Sequence, residues 1–292
     1  MCRLFGMSSA PDRVRATFWL LDAEDSLVAQ SHREPDGTGL GYFTANAQPR
    51  VDKRAIAAFE DRSFAREARD VASKTFVAHV RFATNGGLIA ANTHPFEQEG
   101  RLLAHNGVIG DLAKLEARLG KYRRLVKGDT DSERFFALVS LEIADHDGDV
   151  TAGLIAAARW VARELPLFAL NVVLTTSDEL WALRYPDTHT LYVLERRPGD
   201  ALEHRSSVGT IRVHSSELGE RRAVVVASEP MDEDPAWRLL ASGELLHADR
   251  VLRVSSTVVI DHPPLHLLSL ADLGPQAAAS QGAAVGGQRP QR

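Results

Sequence analysis

Apolar and polar residues alternate with a period of two, or form short apolar runs bounded by turn residues, in stretches spread along the whole chain. Each such stretch predicts a β-strand: "CRLFGM", "GLGYFT", "TFVAHVRF", "RLLAHN", "ALNVVLTTS", "LWALRY", "TLYVLER", "GTIRVHS", "AVVVAS" and "VLRVSSTVVI". Apolar residues recur instead at three and four around Pro11–Leu20, Arg54–Ala72, Asp111–Leu119, Asp131–Ala144 and Val150–Leu165, which predicts helices there. The strands gather early and late, and the helices fall between them without strict β-α-β alternation. That pattern predicts an α+β protein in layers and argues against a doubly wound parallel sheet. Periodic segments and turns follow one another without a separating linker, and no internal repeat is visible, so residues 2–265 are expected to form one domain. The tail, "LADLGPQAAASQGAAVGGQRPQR", is rich in Ala, Gly, Gln and Pro and has little to bury. Disorder is expected over 275–292.

Composition narrows the class. A hydrophobic content of 44% over 292 residues is ample for a buried core. The net charge is −5, and Lys and Arg are scattered rather than clustered. There is no basic field to attract a phosphate backbone, so nucleic acid is not an expected partner. No apolar run approaches the length of a membrane span, and the N-terminus lacks the charged-then-apolar pattern of a secretion signal. A single cysteine excludes an internal disulfide. A cytoplasmic, soluble protein without membrane attachment is expected.

That cysteine stands at position 2, in "MCRLFGM". On the heptapeptide alone, a partly buried small residue in a first strand is the simpler reading. A second reading gives the position a purpose. If the initiator methionine is trimmed, Cys2 carries a thiol and a free α-amine on neighbouring carbons. An α-amine has a pKa of about 7.7–8.0, so a fraction is unprotonated near neutral pH and can serve as the base for the thiol.

Three further stretches could carry chemistry. In "TFVAHVRFATNG" the strand alternation sets Val77, His79 and Arg81 on one face and Phe76, Ala78, Val80 and Phe82 on the other. Arg81 leaves the strand near its end, where a guanidinium can grip a carboxylate through two parallel hydrogen bonds; a plain surface arginine is the alternative. In "RLLAHNGVIGDLAKL" a strand runs through Asn106-Gly107 into a helix. An Asn amide and an unhindered Gly N–H are the two donors an oxyanion hole requires, although Asn-Gly is also a common turn. In "KGDTDSERFF" Thr130 and Glu133 fit a helix-starting capping box, which leaves Asp131 in the first turn, placed to meet an ammonium group.

Other patterns carry less. The glycines of "PDGTGLGYF" do not open a helix after a strand, so they are not a dinucleotide loop. "DHDGD" at 145–149 lacks the glutamate that a calcium loop needs at its twelfth position, and reads as a turn. His79, His94 and His105 lack zinc-ligand spacing, and no metal is expected.

Taken together, the N-terminal cysteine, "HVRFATNG", "NTHPF", "AHNGVI" and "GDTDSE", in that order within the first 133 residues, resemble the class II glutamine amidotransferase domain, an N-terminal-nucleophile hydrolase. "ASEPMDEDPAW" and the short chain further resemble the stand-alone members, including those that remove a γ-glutamyl group in ergothioneine biosynthesis. The resemblance covers residues 2 to about 262. It implies a four-layer αββα fold, with two stacked antiparallel sheets flanked by helices. It implies Cys2 as nucleophile with its own α-amine as base, Asn106 and Gly107 as oxyanion hole, Arg81 holding an α-carboxylate, and Asp131 holding an α-amine. Thr84 and His94 match positions lining the same pocket. The implied substrate is glutamine or a γ-glutamyl amide, with no cofactor. No synthase region accompanies this part of the chain, so two roles stay open: delivery of ammonia to a separate synthase partner, or cleavage of a γ-glutamyl amide of a small molecule. One departure is Thr38, where many stand-alone relatives carry Trp after "DG". An inactive scaffold that binds partners, and an amidase for other acyl amides, remain the alternatives.

Overall fold

The structure is a computed structural model that describes residues 2–82, 87–199, 203–205, 212–214, 220–275 and 277–278. Two antiparallel sheets lie face to face. In the first, neighbouring strands follow the order Arg238–Leu239, Tyr192–Arg196, Ala223–Ala227, Arg3–Ser8, Thr75–Arg81, Gly37–Phe43 and Pro49–Arg54. In the second the order is Val254–Val258, Glu244–Ala248, Leu180–Arg184, Pro166–Thr175, Arg101–Ile109 and Phe96–Gln98, and His266–Leu267 adds a short parallel pair alongside Pro166–Thr175.

The alternation along each strand explains the layering. In Thr75–Arg81, Val77 enters the apolar layer between the sheets, with Leu4, Leu102, Ala104, Val173, Val224 and Leu246. Phe76, Ala78 and Val80 point the other way and pack with Phe5 and Met7 against Trp19, Leu27, Phe64 and Ala68. The outer face of the second sheet, with Leu103, Leu170 and Val172, is covered by Phe135, Leu138, Leu154 and Val161 of the helices Asp131–Asp145 and Val150–Glu164. Helices, two sheets and helices make four layers, as the family resemblance implies. Among the described residues no helix is long and apolar enough to cross a membrane.

Two of the expected helices are corrected. Pro11–Leu20 forms a short strand, Val14–Arg15, paired with Ala72–Ser73, followed by the π-helical turn Phe18–Asp22. Phe18, Trp19 and Leu20 are all buried there, and three successive buried residues do not make one helical stripe. Arg54–Ala72 is helical only over Arg62–Asp70. Arg54 ends a strand, and Asp61 starts the helix by accepting the N–H groups of Ser63 and Phe64 at 2.9 and 3.1 Å. Of the strand expected in "GTIRVHS", only 212–214 falls within the described residues, where it pairs with 203–205. Thr84 and nearly all of 275–292 lie outside them.

Candidate active site

The first strand sets the position of Cys2. Arg3–Ser8 lies mid-sheet, hydrogen-bonded to Thr75–Arg81 on one side and Ala223–Ala227 on the other. "ASEP" secures its start: Ser228 donates its N–H to the Leu4 carbonyl and accepts the Leu4 N–H on its hydroxyl, both at 3.0 Å, and Glu229 pairs with Arg3 at 2.9 Å. Cys2, half-buried, is then held by the backbone just past the neighbouring strand. Its Sγ accepts the Phe82 N–H at 3.3 Å and lies 3.4 Å from the Phe82 carbonyl, to which it donates. Burial pushes the thiol above its ordinary pKa, and the Phe82 N–H only partly offsets this.

One cavity is lined by Cys2, His79, Arg81, Phe82, Asn92, His94, His105, Asn106, Gly107, Thr130, Asp131 and Ser132. Asn106 reaches it from the facing sheet, on the same strand face as Leu102 and Ala104, and its Nδ2 donates to the Cys2 carbonyl at 3.0 Å. Gly107 follows, where the strand crowds its neighbour. A Cβ there would lie 1.9 Å from the Ala169 carbonyl oxygen and 2.7 Å from His105 Nε2, so only glycine leaves this backbone in place. Gly107→Ala is expected to cost about 3 kcal/mol or more of folding stability, measurable by denaturant titration, because the obstruction is backbone and cannot swing aside.

Arg81 is buried, and its Nη1 donates to the Gly87 carbonyl at 3.3 Å. Asn92 fixes the same loop, donating to the Gly87 carbonyl at 3.3 Å and accepting the Asp129 N–H at 2.8 Å. Asp131 opens its helix. Oδ2 accepts the Ile109 N–H at 2.8 Å and Oδ1 accepts the Ser132 N–H at 2.8 Å. This carboxylate therefore joins the strand of Asn106 to the helix start, and with its several acceptor sites it retains capacity for a further donor. The cap itself departs from the expected box. Thr130 accepts the Glu133 N–H at 3.2 Å, but the Glu133 carboxylate takes the Gly128 N–H at 2.6 Å instead of closing back on Thr130. Behind the helix start, Ser132 and His105 Nδ1 share a 2.9 Å hydrogen bond, and desolvation lowers the His105 pKa.

His79 and His94 form the remaining wall, with the spaced glycines at their back. A Cβ on Gly39 would meet the His94 carbonyl oxygen at 1.9 Å, so "GTGLG" serves to bring the His94 segment against its strand. Thr38 is buried with its hydroxyl donating to the Ile56 carbonyl at 2.9 Å, and it is not part of the cavity lining.

Of the residues singled out in the sequence, Cys2, Arg81, His94, Asn106, Gly107 and Asp131 meet at this cavity. His79, Phe82, Asn92, His105, Thr130 and Ser132 also line it and were not foreseen there. Asn92 had a signal in "NTHPF", whereas Phe82 contributes backbone groups that any residue type would supply.

The two stacked antiparallel sheets between helical layers are the N-terminal-nucleophile hydrolase fold. The class II glutamine amidotransferase family matches residues 1–263, and the chain belongs to that family. It is 31% identical over 247 residues to the γ-glutamyl-hercynylcysteine sulfoxide hydrolase of Mycobacterium tuberculosis (strain CDC 1551 / Oshkosh), covering 81% of this chain and 88% of that protein. It is 26% identical over 257 residues to the glutamine amidotransferase-like protein YafJ of Escherichia coli K12, covering 84% and 96%. Both likenesses run nearly the whole length of the relative, as expected of the stand-alone type. Among solved structures, the glutamine phosphoribosylpyrophosphate amidotransferase of B. subtilis superimposes with a TM-score of 0.62 at 19% identity, over 90% of this chain. The chain spans 50% of that protein, and the likeness is one of fold.

Proposed function

We propose that the chain is an amidohydrolase for the γ-amide of glutamine or a γ-glutamyl compound, with Cys2 as its nucleophile after removal of Met1. The convergence of Cys2, Asn106, Gly107, Arg81 and Asp131 on one cavity is the observation that carries this reading. A thiol is largely protonated at neutral pH, so attack needs a base beside it. The Cys2 α-amine is that base. It takes the thiol proton as Sγ bonds to the γ-carbonyl carbon, and Asn106 Nδ2 with the Gly107 N–H receives the oxyanion. The C–N bond breaks with the proton passing to the departing nitrogen, leaving a γ-glutamyl thioester and ammonia or an amine. Water, deprotonated by the same amine, then releases glutamate. The family membership and the γ-glutamyl substrate in the mycobacterial relative's name support the choice of acyl group. Thr84 belongs to the same proposed pocket by motif position, and a synthase that takes up the ammonia is the proposed partner if the nitrogen is used.

The clamp tests the substrate class. Arg81→Lys keeps the charge but loses the two-pronged geometry, and Asp131→Asn keeps the shape but loses the charge that meets an ammonium. Each should raise KM for glutamine roughly ten- to a hundredfold, the scale of a lost hydrogen bond to a charged group. Asp131→Asn keeps an oxygen for the Ile109 N–H but turns an NH2 toward the Ser132 N–H, so thermal melting of the variant is measured alongside its KM. A wild-type enzyme that hydrolyses an amide lacking the α-amine as fast as glutamine would overturn the clamp and favour a general amidase.

A further inference from the structure

Two buried polar side chains of the cavity have no task in the reaction above. His79 is 0% and His94 6% exposed, and their rings lie 4.3 Å apart between centroids, tilted by 37°. All four ring nitrogens are buried, and none has a hydrogen-bond partner among the described residues. The arrangement is firmly held. The Phe96 ring meets His94 edge-on at 4.6 Å, and Lys53 Nζ ties down the carbonyls of Thr93 and Pro95 on either side at 2.7 and 3.3 Å. Desolvation keeps both rings uncharged, with His79 pushed down to about 3 and His94 well below the ordinary histidine range. A neutral imidazole has one N–H and one acceptor nitrogen, and a buried polar group without a partner costs about 1–3 kcal/mol. Both residues line the cavity, so the fold keeps two acceptors and two donors beside it against a standing penalty.

The substrate's own polar groups indicate what they receive. Arg81 is assigned the α-carboxylate, Asp131 the α-amine, and Asn106 with Gly107 the γ-carbonyl oxygen. The γ-nitrogen alone is unassigned, and its N–H groups need acceptors. We propose that His79 and His94 form the subsite for the departing nitrogen, accepting the N–H groups of a primary γ-carboxamide, so that glutamine itself is preferred over N-substituted γ-glutamyl amides. This inference rests on the amidohydrolase reading and deepens it. In the step concerned, the Cys2 Sγ–carbon bond forms and the carbon–nitrogen bond breaks. The thiol proton, carried by the α-amine, goes to the nitrogen, which leaves as ammonia. The imidazoles hold the nitrogen in place and exchange no proton.

The test compares kcat/KM, which reports acylation, on three substrates sharing the glutamyl group: L-glutamine, its γ-N-ethylamide, and the γ-methyl ester of L-glutamate, whose leaving group has no N–H. The wild type should favour glutamine over the ethylamide by about tenfold or more, the scale of a lost hydrogen bond compounded by crowding. His79→Leu and His94→Phe should each lower the glutamine value about tenfold while changing the ester value less than about threefold, and His94→Gln, which restores an acceptor, should recover most of the loss. Equal losses on amide and ester would make the pair merely structural and overturn the proposal, as would no loss on either. If neither apolar variant folds, as judged by thermal melting, the wild-type comparison decides: an ethylamide cleaved as fast as glutamine overturns the subsite. A wild type active on none of the three would instead overturn the amidohydrolase reading, and this inference with it.

Discussion

Cys2→Ala should remove glutamine hydrolysis, by at least about 10⁴-fold, and leave the protein folded. Removing a nucleophile that acts as one unit with its base costs nearly all of the chemical acceleration. The structural loss is small by comparison. The side chain is half-buried, and its hydrogen bonds among the described residues both run to the Phe82 backbone, so the melting temperature should move by only a few degrees. The same variant separates the rival readings. A glutamine-mimicking electrophile should label the wild type at Cys2, glutamine should protect against it, and the variant should take up no label. An inactive scaffold would show neither the labelling nor the protection. Intact mass belongs to the same experiment: the active protein should lack Met1, because an acylated α-nitrogen is no base. Full activity in a preparation that wholly retains Met1 would refute the proposed base.

Asn106→Ala should lower kcat by roughly 10²–10³ with little change in KM, the usual effect of removing one oxyanion donor. One Nδ2 hydrogen is engaged by the Cys2 carbonyl at 3.0 Å, which orients the amide and leaves the second hydrogen for the oxyanion. A residue that contacts the bound ground state as strongly as the transition state would show its loss in KM instead, and a change confined to KM would remove Asn106 from this role. Asn106→Asp keeps the volume, has no amide hydrogens and adds a negative charge where one develops, so it should be at least as damaging as the alanine variant.

The architecture was legible wherever a strand or helix buries one face, or two distinct faces, against apolar layers. Thr75–Arg81 is the clearest instance: the residues set on opposite faces by alternation enter opposite layers, Val77 between the sheets and Phe76, Ala78 and Val80 against the outer helices. The helices Leu112–Leu119, Asp131–Asp145 and Val150–Glu164 were legible because stripe and cap agree, with Asp111, Thr130 and Asp149 each accepting an N–H of the first turn. Pro49–Arg54 was missed because it is an edge strand that bears Arg50, Asp52, Lys53 and Arg54 and buries little, so its pairing with Gly37–Phe43 leaves no apolar rhythm. The cavity shows the same division. Arg81 at a strand end reads by itself as a plain surface arginine, and only its place in the motif "HVRFATNG" picks it out. Ser132 and His105 cannot be picked out, since their bond joins a helix to a strand 27 residues away and no local pattern encodes it.

The place of the first strand has a consequence for the order of events as the chain is made. Its pairs with Thr75–Arg81 can form once about eighty residues have emerged, but Phe5 faces Ala227 on the other edge, about 220 residues further along. At synthesis rates of roughly 5–20 residues per second, that edge waits about 10–45 s for its neighbour. Contacts this distant are also slow to form once both segments exist. Throughout that interval the edge of the first strand that will receive Ala223–Ala227 stays open, so the sheet beside Cys2 is closed only late in synthesis.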